Sequence, residues 1–399
     1  MVVEKFNGLA DVDTVHVAAM GRHIAIRHGK ELGQIADYII LGAMAYITRE
    51  KDIDSVEDLQ KCVDVGVKDY AAKARLLDFC GRNWDILKEF SNAAGQKELK
   101  ALALYFDPAE FSRNGFELGT SYDVSMISTK ILDLQSEDTL VVPCAGIGGF
   151  LSVATAESNV ARAVGIELNK DNQVVANVRA FISGNAFSVE QGNVLEKDYH
   201  ELEGNKVFSH FPFGLKQVGV SERLYPRLKE RLAKMRPSQR LDWEYTLSAI
   251  CCQREGGKTV VVVSDGMLFS VGRDIMLRKQ LTDEGRLEAV IALPAGILAG
   301  TNIKVNLLVF SEDNKQVNMV DATEMGMRTK SRTKLSREEI EQIVSWYEQK
   351  SDSEHNRIVD LGQMEQNDYT WVPSAYFRGR QLGTCLWWSS ERSCHQCHG

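Results

Sequence analysis

A glycine-rich turn that follows an apolar strand constrains this chain more than any other feature. Residues 142–151 read Val-Pro-Cys-Ala-Gly-Ile-Gly-Gly-Phe-Leu, and the apolar run 139–142 leads into them. A strand that ends in Gly146-x-Gly148-Gly149 presents bare backbone at the start of a helix, where unpaired N–H groups favour polar or anionic ligands. The turn therefore predicts a cofactor site in an α/β sheet.

A second strand supplies an acid at the spacing that such a site needs. The strand-like run 161–166 ends in Glu167, about 20 residues after the glycines, the separation at which an acid meets ribose hydroxyls. Alone, this pair also fits a nicotinamide-binding protein. However, the third glycine of the dinucleotide pattern would fall at Leu151, so the nicotinamide pattern is incomplete.

Two further strand-like runs end in polar or aromatic residues. Residues 186–190 precede Gln191-Gly192-Asn193, and residues 206–209 precede His210-Phe211-Pro212-Phe213-Gly214. Open α/β sheets bind ligands at the carboxyl ends of their strands. We therefore expect the glycine turn, Glu167, Asn193 and residues 210–213 to meet around one ligand.

The order of these segments resembles the adenine-N6 DNA methyltransferases, most closely the modification subunit of type I restriction-modification systems. That family holds S-adenosylmethionine on a turn written Asp-Pro-x-x-Gly-x-Gly-Gly-Phe-Leu. The residues that match it here are Pro143, Gly146, Gly148, Gly149, Phe150 and Leu151, whereas Val142 replaces the acid. The resemblance further implies that Glu167 binds the ribose, Asn193 faces the adenine of the cofactor, and Thr120 touches the methionine moiety.

The resemblance covers roughly residues 113–378. Segments 256–269, 286–310 and 367–376 resemble later blocks of the same family. They imply a class I S-adenosylmethionine-dependent methyltransferase fold, which is a doubly wound α/β sheet with an antiparallel terminal hairpin, here through residues 290–310. Within it we predict a helix over residues 242–254 and a buried parallel strand over residues 259–263.

The catalytic tetrapeptide departs from the family pattern. The family has Asn-Pro-Pro-Phe or Asn-Pro-Pro-Tyr, whereas the first two positions here are His210 and Phe211. Methylation of the adenine amine is helped by hydrogen-bond acceptors placed where the hydrogens of the amine point. The backbone carbonyl of Phe211 can still be one of them, because a change of side chain leaves it in place. A neutral His210 offers one ring nitrogen as an acceptor, but a protonated ring offers only donors. We therefore expect activity to fall at low pH.

The other two positions, Pro212 and Phe213, match the family, and we expect Phe213 to stack on a flipped adenine. Two alternatives to an active DNA methyltransferase stay open. One is a weak or inactive subunit that serves assembly or DNA clamping, which His210 and Phe211 favour. The other is an enzyme that methylates protein side-chain amides, since such enzymes use a similar Asn-Pro-Pro-Tyr.

Charge bears on the expected partners. The net charge of −8 argues against tight DNA binding without help, because neutralisation of phosphates dominates that affinity. A stretch directly after the tetrapeptide is nevertheless basic, and it fits either contacts to DNA phosphates or a solvated helix face. Its cations are Lys216, Arg223, Arg227, Lys229, Arg231, Lys234, Arg236 and Arg240. The alternating basic run 328–334 predicts a surface loop or an edge strand. The resemblance implies DNA, a specificity subunit and a restriction subunit as partners.

The two ends of the chain differ from the middle. Residues 1–112 show apolar residues at helical spacing and predict an all-α N-terminal domain, with Asp107-Pro108 and Arg113-Asn114-Gly115 in the loop that follows. Residues 379–399 predict an irregular tail. This tail contains Cys394-His395-Gln396-Cys397-His398, which resembles haem and zinc patterns, but we expect no metal. The lack of a signal peptide or of about 18 consecutive apolar residues predicts a cytoplasmic chain without a membrane partner.

Overall fold

The structure is a computed structural model that describes residues 8–34, 36–111, 119–216, 220–236, 238 and 240–377. The loop residues Arg113-Asn114-Gly115 and the cysteine and histidine residues of the C-terminal tail lie outside the described residues. None of the helices in these ranges has the length and apolar composition that crossing a bilayer requires.

The predicted all-α character of the N-terminal part is confirmed. The described residues up to 111 form the helices α1 (Thr14–Arg27), α2 (Ala36–Glu50), α3 (Val56–Gly66), α4 (Tyr70–Ala93), α5 (Gln96–Tyr105) and α6 (Pro108–Phe111). Side chains of Asp13, Ser55 and Asp69 accept backbone N–H groups at the starts of α1, α3 and α4, as good N-cap residues do. Helix α2 is buried along nearly its whole length, so the other helices pack around it.

The rest of the described chain alternates strands and helices. In chain order they are α7 (Tyr122–Leu132), β1 (Thr139–Pro143), α8 (Gly149–Glu157), β2 (Arg162–Glu167), α9 (Lys170–Ile182), β3 (Ser188–Gln191), β4 (Gly204–His210), α10 (Val220–Arg223), α11 (Pro226–Leu232), α12 (Asp242–Cys251), β5 (Gln253–Ser264), α13 (Gly266–Phe269), α14 (Arg273–Asp283), β6 (Leu287–Ala292), β7 (Val305–Phe310), β8 (Gln316–Asp321), β9 (Met327–Arg328), β10 (Thr333–Lys334), α15 (Arg337–Gln349), β11 (Asn356–Asp360) and α16 (Leu361–Gln366).

The predicted doubly wound sheet with an antiparallel hairpin is confirmed. Nine strands of the described chain form one sheet in the order β11-β8-β6-β7-β5-β4-β1-β2-β3. Strands β3, β2, β1, β4 and β5 are parallel, and β7 runs antiparallel to both β5 and β6. Val290 pairs with Leu308 in the hairpin. The carboxyl ends of the five parallel strands therefore lie along one edge of the sheet.

Strands β8 and β11 extend the sheet beyond the predicted hairpin. Their sequences hold buried asparagines, which obscure an apolar strand pattern. Asn318 in β8 donates to the carbonyl of Tyr347, and Asn356 in β11 donates to the carbonyl of Trp346. Both carbonyls belong to α15, so these polar side chains tie the sheet extension to a helix.

The boundary between α12 and β5 was predicted wrongly. The helix expected over residues 242–254 ends at Cys251, and β5 begins at Gln253 rather than Thr259. The pairing of β4 with β5 is irregular near Gly204, opposite the start of β5. A Cβ on Gly257 would lie 2.8 Å from the carbonyl oxygen of Asn205. The two strands thus approach too closely here for a side chain, and the glycines continue the strand instead of preceding it.

The basic run 328–334 was predicted as a surface loop or an edge strand, and the structure places it apart from the nine-stranded sheet. It forms the two-stranded ribbon β9–β10. However, Arg332 is buried, with its Nε 2.7 Å from a carboxylate oxygen of Glu110 and its Nη1 2.5 Å from one of Asp123. The two acids compensate the charge of the guanidinium inside the protein. Because Glu110 lies in α6 and Asp123 in α7, the guanidinium joins these two helices to the ribbon.

The N-terminal helices share an apolar core with the flank of the sheet. Val174, Val175, Val178 and Ile182 of α9 belong to the same buried cluster as residues of α1 to α5. Since α9 follows β2, this contact places the N-terminal helices beside the glycine turn after β1.

Candidate active site

Four neighbouring parallel strands deliver the predicted site residues to the same edge of the sheet. The glycine turn follows β1, Glu167 ends β2, Asn193 follows β3 and His210 ends β4. Direct hydrogen bonds join the first two of these segments. The carboxylate of Glu167 accepts the N–H groups of Gly146 and Asn169, both at 2.8 Å. Two backbone donors therefore fix the direction of this carboxylate.

The glycines of the turn serve two different purposes. Gly146 and Gly148 have φ of +56° and +78°, a region that disfavours side chains. No atom lies within 4 Å of the position that a Cβ on Gly146 would take, whereas a Cβ on Gly148 would lie 3.1 Å from the Cβ of Ala176 in α9. Gly146 thus leaves open backbone for a ligand, and Gly148 allows close helix packing.

A cavity of about 120 Å³ lies beside the turn. Thr120, Gly146 and His210 line it together with residues of the N-terminal helices, but Pro143, Gly148, Glu167 and Asn193 do not. Pro143 is buried, and its carbonyl accepts the hydroxyl of Ser209 at 3.2 Å. Asn193 accepts the N–H of Leu195 at 3.0 Å. The predicted residues therefore share a sheet edge, but only part of them borders this cavity.

His210 connects the tetrapeptide to the segment before β1. Its Nδ1 lies 2.9 Å from the Oγ1 of Thr120. Burial lowers the pKa of His210 from its usual 6.5 to about 4, because a low-dielectric surrounding disfavours the charged ring. The ring is therefore neutral at neutral pH. The predicted loss of activity at low pH consequently moves to a lower pH than an ordinary histidine would give.

The three aromatic rings of the tetrapeptide segment have different surroundings. The ring of Phe211 is buried and stacks on Tyr245, with centroids 5.4 Å apart. The ring of Phe213 is half-buried, and its centroid lies 5.2 Å from that of His210. Pro212 is exposed. Phe211 thus belongs to the core, whereas the ring of Phe213 remains partly exposed beside His210.

Sequence reasoning missed two residues that border the cavity. Arg179 of α9 is fully buried and donates to the carbonyls of Ala103, Phe106 and Ile147. Asp107 was predicted only as part of a loop, yet it lines the cavity. A lone arginine within the apolar run 174–182 was the one available signal for the first, since such a charge is rarely buried without partners.

Part of the basic stretch 216–240 is engaged in ion pairs. Arg223 pairs with Glu196, Arg231 pairs with Glu284, and Arg227 lies 2.9 Å and 2.6 Å from two carboxylates. These three cations tie α10 and α11 to the segment between β3 and β4 and to the end of α14. The exposed cations of the stretch are Lys216, Lys229, Lys234, Arg236 and Arg240, together with Arg223.

The arrangement defines a class of protein. A parallel sheet in the order β3-β2-β1-β4-β5, followed by β7, which runs antiparallel to both β5 and β6, is the class I S-adenosylmethionine-dependent methyltransferase fold. The glycine turn after β1 and the acid that ends β2 lie where this fold binds its cofactor.

The family follows from the sequence match. The family model described as N-6 DNA Methylase matches residues 105–382. This is well over half of the chain, and the chain belongs to that family.

Named relatives agree with this assignment. The methylase subunit of the type I restriction enzyme MjaVII from Methanocaldococcus jannaschii is 22% identical over 365 residues, which cover 81% of this chain and 60% of the relative. The corresponding EcoEI subunit from Escherichia coli is 24% identical over 280 residues, which cover 65% of this chain and 54% of the relative. The chain thus spans between about half and three fifths of the length of these two curated relatives.

A solved structure shows the same fold. The type I restriction-modification methyltransferase subunit from Streptococcus thermophilus aligns with a TM-score of 0.63 at 16% identity. The alignment covers 94% of this chain and 97% of that one.

Proposed function

We propose that this protein transfers a methyl group from S-adenosylmethionine to the N6 amine of adenine in DNA, as the modification subunit of a type I restriction-modification system. The observation that carries this proposal is the contact between His210 and Thr120 at 2.9 Å. It joins the tetrapeptide that would face the base to the segment that would face the methionine moiety. Such a role implies a cytoplasmic location.

The residues around the glycine turn suit the cofactor. Gly146 offers open backbone, and the carboxylate of Glu167 is held in one direction by two N–H groups. We assign Glu167 to the ribose hydroxyls, Asn193 to the adenine of the cofactor, and Thr120 to the methionine end. We assign Pro143 and Gly148 to support of the turn, Pro143 through its carbonyl, which accepts the hydroxyl of Ser209, and Gly148 through its close packing against α9. S-adenosylmethionine, when bound, supplies a methyl group on a sulfonium.

Methyl transfer to the adenine amine requires hydrogen-bond acceptors near the nitrogen, where positive charge develops. On accepting a methyl group, the amine nitrogen would use its lone pair for the new N–C bond, would carry a positive charge, and would then lose one N–H proton to water. Acceptors placed at the amine hydrogens favour this change. We assign the two acceptors to the carbonyl of Phe211 and the Nε2 of His210.

Thr120 determines whether His210 can accept. In a neutral imidazole one nitrogen carries the proton and the other accepts. Nε2 is the acceptor only when Nδ1–H donates to the Oγ1 of Thr120. The low pKa of His210 keeps the ring neutral, so it does not oppose the positive charge that develops on the amine.

We assign base stacking to Phe213, because Phe211 is committed to the core against Tyr245. This placement affects the choice of variant. Replacing Phe211 with proline would remove a buried ring, which typically costs about 3–5 kcal/mol. His210→Asn alone is therefore the cleaner way to restore the family pattern.

One observation favours a second candidate function. His210 and Phe211 stand where the family has Asn-Pro, which fits a cofactor-binding subunit with weak or no transfer that serves assembly or DNA clamping. The net charge of −8 is consistent with either role beside a separate specificity subunit, since that partner would provide most of the contacts to DNA.

Labelled cofactor and duplex DNA separate the candidates. The purified protein is incubated with S-adenosyl-[methyl-³H]methionine and DNA, alone and with any specificity subunit that is encoded near it. Label on adenine N6 supports the proposal, whereas cofactor binding without transfer supports the second candidate. Label on protein would instead indicate methylation of side-chain amides. Higher turnover by His210→Asn would show that the histidine attenuates the enzyme, and Thr120→Val should lower turnover because it removes the partner of Nδ1.

A further inference from the structure

A carboxylate oxygen at the cavity has no partner in the described part of the chain. Asp107 lies between α5 and α6 and lines the cavity together with Thr120, Gly146 and His210. Its Oδ1 accepts the N–H of Ala109 at 3.0 Å. Its Oδ2 is buried and has no hydrogen bond. Buried polar groups are nearly always paired, so an unpaired carboxylate oxygen requires an explanation.

The other acids at this cavity are either paired with a cation or exposed to solvent. Glu110 pairs with Arg332 at 2.7 Å, and Asp13, which accepts the N–H of His16 at the start of α1, is exposed. The strand before the glycine turn adds no acid, because Val142, which is buried, stands where the resembled family has aspartate. Asp107 is therefore the acid at the cavity that remains able to receive a donor.

Two neighbouring cations stabilise a negative charge on Asp107, but neither forms a hydrogen bond with it. Arg332 and Arg179 act on Asp107 through their charge. However, Arg332 donates to two other acids and Arg179 donates to three backbone carbonyls. Burial raises the pKa of Asp107 above its ordinary value, since the charged form is poorly solvated. A cationic N–H donor would relieve this cost through a charge-assisted hydrogen bond.

We propose that Asp107 binds the α-ammonium group of the methionine moiety of S-adenosylmethionine. This inference rests on the proposed function and adds a contact from the N-terminal helical part. Thr120, which would face the same moiety, lines the same cavity.

The test compares ligands that differ at the amino group. Calorimetry measures the binding of S-adenosylhomocysteine, of its analogue with hydrogen in place of the α-amino group, and of 5′-methylthioadenosine. On the native protein, S-adenosylhomocysteine should bind at least about tenfold more tightly than the deaminated analogue. Asp107→Asn should weaken S-adenosylhomocysteine by about tenfold to a hundredfold, yet leave methylthioadenosine within about twofold.

A second measurement guards against a merely structural effect. Asn retains the acceptor for Ala109, so Asp107→Asn should melt at or above the temperature of the native protein without ligand. Asp85→Asn, at an exposed residue of α4, is the matched control and should change neither melting nor binding. The inference is overturned if Asp107→Asn weakens all three ligands equally, or if the native protein binds the two homocysteine ligands alike. Absence of any binding of S-adenosylmethionine or S-adenosylhomocysteine would instead overturn the proposed function itself.

Discussion

Replacing Arg179 should reveal how strongly the N-terminal helices are held to the cofactor turn. The side chain is fully buried in α9. Its Nε lies 3.0 Å from the carbonyl of Ala103 and its Nη2 lies 2.6 Å from that of Phe106, at the end of α5. Its Nη1 lies 3.3 Å from the carbonyl of Ile147, in the glycine turn. One guanidinium therefore joins two parts of the chain that are distant in sequence.

The expected cost of Arg179→Met follows from these contacts. Methionine fills a similar volume but donates no hydrogen bond. The carbonyls of Ala103 and Phe106 belong to buried residues, and each unsatisfied buried group costs about 1–3 kcal/mol. The longer bond to Ile147 contributes less, and removing a buried charge returns part of the loss. We expect a net destabilisation of about 3 kcal/mol, at the upper end of ordinary point mutations.

Urea unfolding followed by circular dichroism measures this loss. The unfolding midpoint should fall while the denaturant slope stays constant, and the affinity for S-adenosylhomocysteine should fall as well, since Ile147 belongs to the turn. Arg82→Met is the control, because Arg82 forms an exposed ion pair within α4 and such pairs contribute about 0–1 kcal/mol. Equal stability of both variants, within about 0.5 kcal/mol, would refute the reasoning.

Three further predictions concern the active site and its supports. The ring protons of His210 should titrate by NMR with a midpoint near pH 4. Since the unfolded ring binds protons more readily, the free energy of unfolding should fall by about 1.4 kcal/mol for each unit by which the pH drops from the unfolded towards the folded pKa of this residue. A midpoint near 6.5 would contradict both expectations. Gly165→Ala places a Cβ 2.6 Å from the Cβ of Ala145 in the turn and should lower the unfolding free energy by about 1–3 kcal/mol. Gly33→Ala, which has open space around it, should change it little. Equal effects of the two variants would argue against close packing between β2 and the turn. Arg332→Met leaves the carboxylates of the buried Asp123 and the largely buried Glu110 without their cation, and should lower the unfolding free energy by about 3–5 kcal/mol. Lys334→Met, at a half-exposed side chain, should lower it by under about 1 kcal/mol. Thermal melting measures both.

The sequence predicted the parts of the molecule that depend on local pattern. Apolar runs and the residues that end them identified the strands β1 to β4, so Glu167 and Gly146 were expected near one another, and they share a hydrogen bond. The hairpin of β6 and β7 was predicted through the family resemblance. What could not be predicted depends on packing between distant segments. Local sequence does not show the burial that lowers the pKa of His210. The arginine within the apolar run 174–182 indicates a buried charge, but local sequence does not show that its partners lie more than 70 positions earlier.

The segment before β1 brings two polar groups, Asp107 and Thr120, to the cavity that His210 also lines. Asp107 brings a carboxylate to a turn in which Val142 has replaced an acid, and Thr120 provides a hydroxyl partner to His210, which has replaced an amide. A subunit that no longer bound a cofactor would gain nothing from a buried carboxylate oxygen without a partner, because that oxygen lowers the stability of the free protein. The unpaired oxygen of Asp107, at a cavity that also contains the tetrapeptide histidine, therefore favours a site that still binds its cofactor over a purely structural relative.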